Sequence, residues 1–250
     1  MTFDVVIDAD TLSDALAPVS ALVDECKIRI GDMGVAVTAV DPSNVAMIDM
    51  SLREQAFESY RADGGVIGVN LDRLEEVLGM ADSDDLVHME LDEETRKLHI
   101  DIDGLEYTLA LIDPDSIRQE PDIPDLELPG EYEFAGEQLD RAVRAADLCS
   151  DHVTIRAAGD AALVFEAQGD TDDVTQTLDE DHLASGGCND QPGAQSMFSL
   201  DYLQDMKKPI GSETEVELRV GSEMPVKFEF SLADGDVEVV NMLAPRISSE

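Results

Sequence analysis

Any chemistry in this chain has to start from four histidines, three cysteines and 57 acidic residues. His88-Met89-Glu90 matches the HxE fragment of zinc deaminases, yet the PCxxC pair that would complete their metal site does not follow. His99, Asp101, Asp103 and Gly104 look like the start of a calcium loop. Counted from position 99, however, the twelfth residue is Ala110, where a bidentate Glu is required, so a strand entering a turn is the better reading. His182 and Cys188 offer two metal ligands without a second pair. Asp172 and Asp173 could do acid/base work, but in so acidic a chain adjacent carboxylates arise by chance and read as a solvated face. Gly64, Gly65 and Gly68 have the wrong spacing for a phosphate cradle, and there is no GxxxxGK[ST] or GxSxG. The residues thus predict no catalytic site, no metal and no cofactor.

Charge is the strongest signal in the composition. Sixteen basic against 57 acidic residues give a formal net charge of −41 over 250 residues, with the acids spread along the whole length and lysine scarce. Such self-repulsion opposes a compact state at low ionic strength, whereas at about 1 M salt the screening length falls to roughly 3 Å. The composition predicts a protein built for molar salt. Its alternative is an acidic mimic of nucleic acid, a regulatory protein that competes with DNA. The charge excludes DNA only as a partner gripped electrostatically; a ring closed around the duplex escapes that limit.

With 43% hydrophobic residues the chain can bury a core. It lacks both a membrane-length apolar run and a secretory leader pattern at Met1 to Asp10, which predicts a cytoplasmic protein with no membrane partner. Cys26, Cys149 and Cys188 have no CxxC spacing and read as reduced thiols.

The elements that would position any site come in two sets. Residues 113–130, DPDSIRQEPDIPDLELPG, hold four of the ten prolines and read as a surface linker. It separates an N-terminal domain, 1–112, from a C-terminal domain, 131–250. At an offset of 129, Leu71, Asp72, Leu74 and Val77 fall on Leu200, Asp201, Leu203 and Met206; at 127, Leu12, Ala15, Asp24, Ile28 and Arg29 fall on Leu139, Ala142, Asp151, Ile155 and Arg156. This predicts an internal duplication. Each half is expected to hold two helices, 11–24 and 71–79 in the first and 137–148 and 200–207 in the second, capped at Asn70 and Ser199 in two cases. Alternating segments such as 35–40, 45–52, 98–102, 161–167, 216–220, 226–232 and 237–242 predict strands joined by turns at Asp63-Gly64-Gly65, Asp103-Gly104 and Asp234-Gly235. The fold class is α+β, two similar domains of antiparallel sheet plus two helices each. Pro18, inside the first helix pattern, predicts a kink or an early end there.

Asp41-Pro42-Ser43-Asn44-Val45, Phe57-Glu58-Ser59-Tyr60-Arg61, Gly68-Val69-Asn70-Leu71, Glu223-Met224-Pro225-Val226 and Leu243-Ala244-Pro245-Arg246-Ile247 stand in the order found in sliding clamps. Over essentially the whole length the chain resembles the proliferating cell nuclear antigen family, and its acidity resembles the halophilic archaeal branch. The resemblance implies a head-to-tail homotrimeric ring with helices lining the hole. It implies a processivity factor, not an enzyme, that encircles double-stranded DNA and tethers DNA polymerase, clamp loader, flap nuclease and ligase through short hydrophobic peptide motifs. In a prokaryotic cell that places it with the nucleoid.

Three sets of residues follow from the resemblance. The family has several lysines on its hole-lining helices; here the first half offers only Arg73, so DNA contact is expected from Arg141, Arg144, Lys207 and Lys208. Partner peptides are expected in a groove of Val40, Asn44, Val45, Met47, Leu126, Leu128, Pro225, Met242, Leu243, Ala244, Pro245 and Ile247; Val45, Met47 and Leu243 could instead complete a sheet core. Subunits are expected to meet through edge strands at Tyr107, Leu109 and Leu111 on one side and Val174, Thr175, Thr177 and Leu178 on the other.

Overall fold

In the computed structural model, residues 2–119, 126–158, 162–189 and 193–246 are described. Most of the central stretch of the expected linker therefore falls outside the described residues. The chain forms two compact units, one of Met1–Pro42, Ile48–Pro121 and Ser231–Val239, the other of Ser43–Met47, Asp122–Phe230 and Val240–Glu250.

The element order is β1 (Phe3–Asp8), α1 (Ala9–Ser20), β2 (Glu25–Gly31), β3 (Gly34–Val40), β4 (Ala46–Arg53), β5 (Phe57–Ala62), β6 (Gly65–Asn70), α2 (Leu71–Leu78), β7 (Leu86–Asp92), β8 (Lys97–Ile102) and β9 (Leu105–Ala110). It continues with β10 (Gly130–Ala135), α3 (Gly136–Ala146), β11 (His152–Ala158), β12 (Ala162–Gln168), β13 (Asp173–Leu178), β14 (Leu183–Cys188), β15 (Gln195–Ser199), α4 (Leu200–Lys207), β16 (Glu215–Val220), β17 (Val226–Leu232) and β18 (Val237–Leu243). Strand, helix, five strands, helix, three strands occur twice, which is the duplication seen in the sequence. The sheet order β5-β1-β7-β8-β9 of the first copy returns as β14-β10-β16-β17-β18, and β4-β3-β2-β6 returns as β13-β12-β11-β15.

Every strand pair whose register is determined is antiparallel, including β1 with β5 and β7 and β11 with β12 and β15. Alternation does the sorting: β1 buries Phe3, Val5 and Ile7 and leaves the residues between them half-buried. Leu12, Ala15, Leu16 and Val19 carry the buried stripe of α1, and Leu139, Ala142, Val143 and Ala146 that of α3. Each helix pair packs together in its own unit, α1 on α2 and α3 on α4.

The local signals account for most boundaries. Asn70 caps α2 by accepting from Arg73 N at 2.8 Å, whereas Ser199 stands at the cap of α4 without making that bond. Asp103 (φ 44°) and Gly104 (φ 83°) both take the left-handed conformation between the paired ends Ile102 and Leu105, as a two-residue hairpin turn demands. The first helix begins earlier than expected, because Asp8 caps it through Thr11 N at 3.0 Å. It runs through Pro18 and ends two residues later at Ser20, not at residue 24, with Ala21 as its C-cap donating to Ala17 O at 3.2 Å. Among the described residues no helix is long and apolar enough to cross a membrane.

Candidate functional site

The tail of the second unit is pinned by backbone. Ala244 N donates to Val45 O at 2.8 Å and Arg246 N to Met197 O at 2.7 Å, so the residues after β18 run extended. Around them Val45, Met47, Leu126, Leu128, Pro225, Ala244 and Pro245 are half-buried, and Asn44 is exposed in a left-handed turn (φ 57°). Gly221 admits Leu128 and Met224 against the backbone: a Cβ there would stand 2.8 Å from Met224 Sδ and 3.2 Å from Leu128 Cδ2. The half-buried set offers small and flexible apolar side chains beside open backbone, the composition of a slot for a short extended peptide.

One expectation for this surface is corrected, that Met242 and Leu243 line it. Met242 and Leu243 are 4% and 0% exposed and complete the core, because β18 is covered on both faces at this end. Val40 is half-buried and belongs to the first unit. Ile247 lies outside the described residues.

Beside the tail opens a cavity of about 400 Å3 lined by Thr154, Gln195, Ser196, Met197, Glu223, Pro245 and Arg246. Buried Ser196 organises its floor, donating to Gly221 O at 2.8 Å and accepting from Met224 N at 3.1 Å. Glu223 N donates to Gln195 O at 3.1 Å. Arg246 reaches Asp151 at 3.5 Å, and the His152 ring and then Arg246 hold that carboxyl below its ordinary range. The sequence offered Pro245 as a groove residue and Glu223 as a motif member, and it missed Gln195, Ser196 and Met197, which reach the tail through folding from an unremarkable strand.

The expected DNA-facing cations are mostly already matched. Arg73 pairs with Glu76 at 2.7 Å, Arg144 with Asp140 at 3.4 Å and Lys208 with Asp205 at 2.6 Å. Lys207 is hydrogen-bonded to Asp140 and its side chain is only 18% exposed, so it is not the projecting surface charge expected. Exposed Arg141 has no ion-pair partner among the described residues, and it borders a cavity of about 290 Å3 together with Gln138 and Val174 to Leu178 of β13. Arg141 thus borders β13, whereas Arg144 pairs with Asp140.

The strands expected at a subunit contact are edge strands. β9 ends the sheet β5-β1-β7-β8-β9 and β13 ends β13-β12-β11-β15. Leu109 (4% exposed) and Leu178 (0%) point into their own cores and cannot offer side chains to another subunit. Tyr107, Leu111 and Val174 are half-buried, and Thr175 and Thr177 are exposed.

Three of the histidines meet neighbouring polar groups. His88 meets Asp4 at 2.9 Å, His99 meets Thr108 at 3.2 Å, and His182 meets Asp179 at 2.8 Å. Burial pushes the Cys26 thiol up to about 12, which keeps it protonated and unreactive. Among the described residues no three metal-ligating side chains come together.

Comparison with known proteins gives a consistent picture. The family profile described as "Proliferating cell nuclear antigen, N-terminal domain" matches residues 6–110, and that described as its C-terminal domain matches 122–246. The DNA polymerase sliding clamp of Natronomonas pharaonis is 57% identical over 250 residues, spanning 99% of this chain and 100% of its own length. That of Halobacterium salinarum is 56% identical over 248 residues, spanning 99% of both. Among solved structures, one titled "C-terminal region of FEN-1 bound to A. fulgidus PCNA" superposes with a TM-score of 0.91 at 36% identity, covering 99% of this chain and 100% of the other. The proliferating cell nuclear antigen of Thermococcus kodakaraensis superposes with a TM-score of 0.89 at 28% identity, covering 98% of this chain and 100% of the other.

Proposed function

The chain belongs to the proliferating cell nuclear antigen family, and from that premise we propose that it is a DNA polymerase sliding clamp acting as a closed homotrimeric ring. It is a tether and not a catalyst. One relationship between strands carries the ring. β18 and β4 lie side by side, with Arg53 N donating to Asp236 O at 3.0 Å at one end and Ala244 N to Val45 O at the other. By the internal repeat, β9 is the counterpart of β18 and β13 the counterpart of β4. Those two remain edges within one chain. Pairing β9 of one subunit with β13 of the next repeats a junction the chain already makes, and such a head-to-tail contact closes into a ring. The bond is carried by backbone, Tyr107, Leu111, Val174, Thr175 and Thr177. Sedimentation in molar KCl tests it: a single trimer supports the ring, and a monomer, the state of an acidic DNA mimic, contradicts it.

Enclosure then holds the duplex. Counterion-release affinity falls linearly in log K with log salt, so Arg73, Arg141, Arg144, Lys207 and Lys208 are weak guides against the phosphates, and topology supplies retention. The slot of Asn44, Val45, Met47, Leu126, Leu128, Pro225, Ala244 and Pro245 takes short hydrophobic peptides of polymerase, clamp loader, flap nuclease and ligase. The Archaeoglobus relative, bound to a C-terminal region of FEN-1, supports that mode. The protein works in the cytoplasm, at the nucleoid.

A further inference from the structure

Asp140 on α3 meets two cations at once: one carboxylate oxygen accepts from Lys207 at the end of α4, the other from Arg144 one turn along α3 at 3.4 Å. The Lys207 partner comes from a different helix, and its side chain is largely buried, so solvent and salt screen that bond less than a contact on the open surface. Lys207 followed by Lys208 is otherwise the densest basic point on the helices of the second unit, and Lys208 is itself turned to Asp205 at 2.6 Å. A phosphate approaching these helices has to displace an acceptor that is already in place.

We infer that Asp140 is an attenuator of DNA contact: by holding Lys207 and Arg144 it lowers the number of cations each subunit presents to the phosphate backbone, and so sets a weak, salt-tolerant grip. This rests on the sliding-clamp reading. At the acidic chain's working salt the trade is favourable to sliding, because each phosphate contact that is not made removes friction without loosening a ring held by topology. The Asp140 carboxyl is held below its ordinary range, first by the Lys207 hydrogen bond, which agrees with a carboxylate that stays charged and occupied.

The test measures binding of a fluorescent linear duplex by the full-length protein across a KCl series, for the native protein and for Asp140→Asn. Release of Lys207 and Arg144 in three subunits adds up to six cations, which steepens the slope of log K on log salt by up to about 5 and tightens binding most at the lowest salt. Asp140→Asn with Lys207→Gln returns the slope part of the way. Sedimentation and melting of every variant accompany the titration. An unchanged slope in an Asp140→Asn ring that sediments and melts as the native protein does overturns the inference. If Asp140→Asn fails to assemble, Lys207→Gln with Arg144→Gln serves: cations already held by Asp140 predict a slope close to native, and a slope flattened by their full contribution overturns the inference. Loss of the sliding-clamp reading has a separate signature, native protein that is not retained on closed circular duplex.

Discussion

Ala244 N donates a 2.8 Å hydrogen bond to Val45 O, tying the residue after the last strand to the turn that precedes β4. The bond is main chain to main chain, so side chains around it can be changed without releasing the tail. That separates residues that shape the proposed docking slot from residues that hold the fold.

Met47 is half-buried and Leu243 is fully buried. Met47→Ala is expected to weaken binding of a partner-derived hydrophobic peptide by about 1 kcal/mol or more while the melting temperature changes little. Leu243→Ala leaves a cavity and is expected to cost about 2 to 5 kcal/mol of stability. Titration calorimetry and denaturant unfolding separate the two; a Leu243→Ala protein as stable as the native one contradicts its placement in the core.

At the proposed subunit contact, Tyr107 on β9 keeps an accessible side chain while Leu109 does not. Tyr107→Ala is expected to move the population from trimer to monomer at micromolar concentration with an unchanged far-ultraviolet circular dichroism spectrum. A Tyr107→Ala trimer as tight as the native one removes that side chain from the interface.

A net charge of −41 makes stability depend on salt. Screening shortens from about 10 Å at 0.1 M to roughly 3 Å at 1 M, and the melting temperature is expected to rise through that range. Differential scanning calorimetry in KCl checks this, and a melting temperature that falls over the same interval contradicts it.

Acid acts through opposed groups. Asp140, Asp151 and Asp179 are held below the ordinary value of 3.8, by Lys207, His152 and His182 first in each case. A carboxyl depressed on folding adds stability that is present above 3.8 and lost as pH falls below it toward the folded value. Asp14 and Asp49 are raised, first by burial, and favour the fold as they take up protons above 3.8. Stability in molar KCl is therefore expected to hold or rise slightly on mild acidification and then drop below 3.8. Circular dichroism melts across pH read it. Asp140→Asn should drop less steeply, and an identical acid limb in that variant contradicts the Asp140 contribution.

The two-copy plan was legible because its signals are local. α2 and α4 carry the same apolar spacing 129 residues apart, Asn70 caps where an Asn should, and Asp103-Gly104 turns where two left-handed residues are needed. What sequence could not convey depends on approach in space. The alternation of β18 marks Met242 and Leu243 as apolar without saying how completely their neighbours cover them. Lys207 looks like a free charge at a helix end until α3 brings Asp140 beside it. Gln195, Ser196 and Met197 come beside the tail through Arg246, which donates to Met197 O, and through Gly221, Glu223 and Met224. Ser199 shows that a capping residue at a cap position need not make the bond, since propensity yields to how the preceding strand delivers the side chain.

Retention on closed and opened DNA tests the ring most directly. Protein loaded by its clamp loader onto nicked circular duplex in molar KCl is passed through gel filtration, before and after the circle is cut once. Enclosure predicts that the protein stays with the circle at high salt and is lost from the linear product within the same run. Loss from the uncut circle, or equal retention on both forms, would contradict a clamp held by its own closure.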